Sequence, residues 1–112
     1  MKIDTEPLDE GILKISLAGR MDVQGTQEID LKFNGYTNNQ RAVIVDMSAV
    51  DFLASIGIRT LLLVAKAISR RGGKMVLFNP DKNVSHVLEM AVIDTLIPIC
   101  RSFDEARNAV AT

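Results

Sequence analysis

Two short, unbroken apolar runs organise the middle of the chain. Residues 42–45, Ala-Val-Ile-Val, and residues 75–78, Met-Val-Leu-Phe, lack the alternation of a strand with one wet face. Such runs mark strands covered on both sides. The stretch 56–71 between them carries apolar residues at helical spacing and closes on Gly72-Gly73. Glycine just past a helix takes a left-handed conformation at little steric cost. Strand, helix and strand in so short a span predict a βαβ unit with parallel strands and a right-handed crossover.

The flanks extend this unit. Residues 12–18, Ile-Leu-Lys-Ile-Ser-Leu-Ala, partly alternate and predict a strand with one wetter face. Residues 7–11, Pro-Leu-Asp-Glu-Gly, read as a turn, so residues 1–5 become the antiparallel partner of a hairpin. A helix over 24–33 returns the chain, ended by Asn34-Gly35 and Asn38-Asn39. After Phe78, Asn79-Pro80 breaks the strand, and Asp81 or Asn83 caps a helix carrying Val84, Val87, Leu88 and Ala91. Residues 96–100 form an edge strand, because Pro98 would damage a central one. Ser102 caps a last helix with Phe103, Ala106 and Val110 turned inward. The expected order is ββαβαβαβα: an α/β fold with a mixed sheet, helices mainly on one face, and a single domain over residues 1–112.

Composition narrows the chemistry more than the fold. At 112 residues and 47% apolar the chain buries a core without staples, and with 4% aromatics that core is aliphatic. Lys plus Arg number 13 and Asp plus Glu 14, a formal charge of −1, which leaves no basic footprint for nucleic acid. No apolar run approaches a membrane span, and the first residues, Met1 to Glu6, lack the apolar region of a signal peptide. A cytoplasmic location is the expectation. Cys100 and His86 are the only cysteine and histidine. That excludes a disulfide framework and argues against a zinc site. With no phosphate-cradling glycine loop either, no cofactor and no metal are expected.

One segment carries the candidate chemistry: residues 45–58, from the end of a buried strand through a tight loop to a long helix. Ligands and partners of open α/β sheets bind at such strand exits. Ser55 falls at the expected N-cap, where its hydroxyl would accept a backbone N–H. A phosphorylation switch is the second reading of the same position, since a helix start tolerates a phosphate whose charge repels a docked partner. Gly57 in the first turn suggests close approach of another backbone or a bulky ligand. Ile58, Leu61, Leu62, Ala65 and Ile68 form the stripe expected on the sheet. Arg59, Leu63, Lys66 and Arg70 form a second stripe, basic with one Leu in its middle, either a solvated face or a docking stripe beside Ser55 with Leu63 as its apolar anchor. Asp22 ends the second strand, as a cap or as part of the surface around Ser55. A serine hydrolase would need a base beside Ser55, and only His86 is available.

These residues resemble the STAS domain family, shared by bacterial anti-sigma factor antagonists and sulfate transporter tails. Gly19-Arg20-Met21-Asp22 is similar to the family's Gly-x-x-Asp after the second strand. Val45 to Phe52 resembles its Asp-Leu-Ser-x-Val-x-Phe strand exit, and Ala54-Ser55-Ile56-Gly57-Ile58 its Asp-Ser-Ser/Thr/Ala-Gly-Leu helix start. The resemblance implies a regulatory binding protein, not an enzyme. Unphosphorylated, it would bind an anti-sigma factor of the serine-kinase type. That kinase would phosphorylate Ser55, and a serine phosphatase would reset it. The implied partner surface comprises Asp22, Ala54, Ser55, Ile56, Gly57, Arg59, Leu63 and Lys66. Two positions depart from the family: Ala54 replaces the usual Asp, and Ile56 a small residue. They support the alternative of a constitutive STAS adaptor in a transport or signalling complex, with Ser55 only a helix cap.

Overall fold

A computed structural model describes residues 1–111. Its strands are β1 (Lys2–Pro7), β2 (Ile12–Met21), β3 (Ala42–Leu53), β4 (Lys74–Phe78) and β5 (Ile99–Cys100). Its helices are α1 (Val23–Thr37), α2 (Ser55–Arg70), α3 (Lys82–Met90) and α4 (Phe103–Val110). Single 3₁₀ turns stand at Asp9–Gly11 and Ile93–Thr95. The sheet runs β1-β2-β3-β4-β5. The β1–β2 pair is antiparallel and all later pairs are parallel. The expected element order therefore stands.

The apolar runs do what their lack of alternation implied. Val43 and Val45 point into a core with Ile29 and Phe33 of α1, Leu61, Val64 and Ile68 of α2, and Val84 and Leu88 of α3. Ile44 and Val76 point the other way, into a second cluster with Cys100 and, from α4, Ala106 and Val110. Three helices cover one face and α4 alone covers the other. The helix ends also follow the residues. Gly72 closes α2 at φ +80°. Asp81 and Ser102 cap α3 and α4 through bonds from the N–H groups of Val84 and Glu105.

Three expectations need correction. The edge strand expected over residues 96–100 is strand only at Ile99–Cys100, because Pro98 has no N–H and pairing with β4 starts after it. The helix predicted over 24–33 runs on to Thr37. Phe33 and Thr37 are buried one turn apart, and the Asn34 side chain donates back to the Asp30 carbonyl, so Asn34 and Gly35 continue the helix rather than end it. The loop expected after Val45 is strand as far as Leu53. Its buried residues, Met47, Val50 and Leu53, recur every three positions instead of every two. The register with β2 explains this. Ser16 and Ala18 pair with Asp46 and Ala49, and Gly19 and Arg20 with Val50 and Phe52. At each shift β3 holds one residue more than β2, and such bulges reset which side chains face inward.

Candidate functional site

The helices α1, α2 and α3 begin at the carboxyl ends of β2, β3 and β4, so their first turns share one edge of the sheet. The start of α2 is tied directly to β2: the Ala54 N–H donates to the Met21 carbonyl at 3.0 Å. Asp22, the next residue, caps α1 by accepting the Gly25 N–H at 2.8 Å. That bond above all holds the Asp22 carboxyl below its ordinary value; desolvation opposes it, and Arg20 lowers it further.

Ser55 is not the N-cap. Ala54 occupies that position and has no side chain with which to cap. Ser55 is the first helical residue, exposed, and its hydroxyl makes no hydrogen bond among the described residues. The reading of Ser55 as only a cap therefore loses its structural basis. For Gly57 the expected close approach of another backbone is borne out. Gly57 is buried, and a Cβ there would lie 2.7 Å from Met21 Cγ, 2.8 Å from Leu53 Cδ1 and 3.1 Å from the Met21 carbonyl oxygen. The close neighbour is the chain's own β2 and β3, not a ligand. Gly57 therefore sets the depth of α2 beneath the surface rather than offering a contact.

The rest of the expected surface comes together. Ser55, Arg59 and Leu63 stand four residues apart on one face of α2, with Lys66 beyond. Arg59 and Lys66 are exposed and Leu63 is 54% exposed, while Ala54 and Ile56 are half-buried at the helix start. No Asp or Glu occurs in α2, and neither Arg59 nor Lys66 makes an ion pair among the described residues.

Two residues of this edge escaped the sequence reading. The Arg20 guanidinium lies over the Phe52 ring, 4.2 Å from its centre, and its Nε is 3.4 Å from Asp22 Oδ2. Phe52 is 39% exposed. Only the bulged register makes Arg20 and Phe52 partners; counting from an unbroken ladder would separate them. Beside Phe52 lies an apolar dimple of about 70 Å³, lined by Asp51, Phe52, Leu53, Asn83, Val84 and Val87.

The remaining candidates lie elsewhere. His86 lines an open groove with Lys82, Glu89 and Arg101, and Ser55 does not line that groove. Cys100 is buried; burial, then the nearby Glu105, pushes its thiol up. No cluster of His, Cys, Asp and Glu able to hold a metal occurs among the described residues, nor any helix long and apolar enough to cross a membrane.

A five-stranded sheet with three helix starts along one edge is the STAS architecture, and the chain belongs to the STAS domain family, which matches residues 6–106. Among its relatives is a protein of Bordetella bronchiseptica named "Putative anti-sigma factor antagonist BtrV". It is 26% identical over 113 residues, covering 100% of this chain and 97% of BtrV. The structure of an anti-sigma factor antagonist from Mycobacterium paratuberculosis superimposes with a TM-score of 0.88 at 20% identity, covering 99% of this chain and 94% of that one. That of the anti-sigma factor antagonist SpoIIAA, in its unphosphorylated form, gives 0.77 at 18% identity, covering 96% and 95%.

Proposed function

We propose that the chain is an anti-sigma factor antagonist, a binding protein rather than an enzyme, switched by phosphorylation of Ser55. The observation that carries this reading is the position of Ser55. Its hydroxyl is exposed, holds no other group in place, and heads the stripe of Arg59, Leu63 and Lys66. The full-length similarity to BtrV supports the function. SpoIIAA, which shares the fold, exists in an unphosphorylated and a phosphorylated form, and this supports a switch of the same kind.

In this reading the unmodified protein holds an anti-sigma factor on the edge formed by Asp22, Ala54, Ile56 and the α2 stripe, and the sigma factor is released. The anti-sigma factor is a serine kinase. It transfers the γ-phosphoryl group of ATP to Ser55 Oγ, leaving ADP and releasing the hydroxyl proton. The new charge of about −2 repels the partner surface, and hydrolysis by a serine phosphatase restores the hydroxyl. The test uses the anti-sigma kinase encoded in the same genome. Incubated with it and ATP, the protein should take up one phosphate, mapped to Ser55 by mass spectrometry. Ser55→Ala should keep binding and Ser55→Asp weaken it. Phosphate at other residues with none on Ser55 overturns the assignment, and equal affinity of the two variants overturns the electrostatic switch.

A further inference from the structure

We propose that Arg59 is the internal counter-ion of a phosphate on Ser55. Modification would then withdraw the leading cation of the α2 stripe from a partner while it adds negative charge. The inference rests on the reading of Ser55 as the modified hydroxyl.

Helical geometry supplies the first part. Ser55 and Arg59 are residues i and i+4 within α2. Their Cβ atoms are then about 5–6 Å apart. Helical side chains lean toward the N-terminus, so a long residue covers the turn before its own Cα. The Arg59 guanidinium thus reaches back over position 55. Both residues are exposed.

Charge supplies the second part. Arg59 has no carboxylate within 4.0 Å among the described residues. Its own helix offers none, because α2 holds Arg59, Lys66 and Arg70 and no acid. Of the acids of the neighbouring edge two are engaged, while Asp51 is exposed and makes no ion pair among the described residues. Asp22 is held by Gly25 and Arg20, and Glu28 pairs with the amino group of Met1. Asp51 lines the dimple between β3 and α3. Arg20, the other guanidinium of the edge, is already stacked on Phe52 and paired with Asp22. A phosphate on Ser55 would therefore be the first anion offered to Arg59, and guanidinium binds phosphate through paired, charge-assisted bonds.

The partner chemistry follows. In the unmodified protein Arg59 is a guanidinium without an ion pair among the described residues, one turn from the apolar Leu63, which suits a carboxylate next to an aliphatic side chain. Phosphorylation removes that contact and adds repulsion in one event. An Asp at position 55 carries one charge on a shorter arm, so it imitates the repulsion better than the capture.

The test needs neither partner nor kinase. Phosphoserine is installed at position 55 by genetic encoding, and the second ionisation of the phosphate is followed by ³¹P NMR. Arg59 favours the dianion, so Arg59→Gln should weaken the acid about two- to fourfold, and Arg59→Lys should restore most of the difference. Separately, phenylglyoxal should modify Arg59 more slowly in the phosphorylated protein than in the unmodified one, read by peptide mapping. An ionisation indifferent to Arg59→Gln, or an Arg59 equally reactive in both forms, overturns the proposal. A kinase that ignores Ser55 would instead overturn the proposed function and leave this measurement intact.

Discussion

At the scale of single residues, the start of α2 departs from what a helix end prefers. Ala54 has extended backbone angles (φ −99°, ψ 171°) suited to a capping side chain it does not have. Ala54→Asp should therefore raise stability by about 1 kcal/mol, measured as a higher urea midpoint with an unchanged slope. Asp22 shows the opposite case. Its carboxyl is depressed below its ordinary value of 3.8, chiefly by the Gly25 N–H. The stabilisation is complete above the unfolded-state value and is lost as pH falls through the lower folded-state value. Asp22→Asn keeps an amide oxygen for capping, so it should flatten the acid limb of the stability–pH curve between the unfolded-state and folded-state values while changing stability at pH 7 little. Gly57→Ala should destabilise by about 1–3 kcal/mol, despite alanine's better helix propensity, because its methyl meets Met21 and Leu53.

Among the elements, β3 shows why some of the fold could be read from the sequence and some could not. Val43, Ile44 and Val45 announce themselves as strand because each side of a covered strand needs an apolar residue. Gly72 announces the end of α2 because its φ suits glycine. Met47, Val50 and Leu53 do not announce strand, since their three-residue spacing appears only when the bulges are known. Bulges are set by the partner strand, and no local pattern encodes a partner. The same cause hid Arg20 and Phe52, whose stacking is a product of that register. The placement of Ser55 one residue inside the helix, rather than at its cap, also turns on where the bulged strand ends. By contrast the α2 stripe was legible, because helical spacing needs nothing but the helix itself. Leu63 is exposed, so Leu63→Ala should change stability by less than about 0.5 kcal/mol and still weaken anti-sigma factor binding. Equal binding would remove Leu63 from the interface.

At the scale of the molecule, the sheet separates two cores and the edge carrying Ser55 belongs to the larger one. Cys100 lies in the smaller, under α4. Its buried, upward-shifted thiol should react with a thiol reagent far more slowly in the native protein than in denaturant, and a native rate near the unfolded one would show that α4 opens readily. Charge is also a whole-molecule quantity here. The formal charge is −1, and one phosphate adds about −2. The phosphorylated form should bind an anion exchanger distinctly more tightly.

The first turns of α1 and α2 press on the same strand end, with Gly25 against the Arg20 carbonyl and Gly57 against Met21. Neither turn has room to sink further, and Ala54 is tethered to Met21 as well. Mechanically, Ser55 stands on a platform without slack. A phosphate added there, as proposed, would find no stored backbone motion to release, so its effect would be confined to charge and to the Arg59 side chain. Amide exchange in the first turn of α2 should accordingly be as slow after phosphorylation as before it. A partner docking on this turn would lose little entropy in ordering it, because the fold already holds it in place.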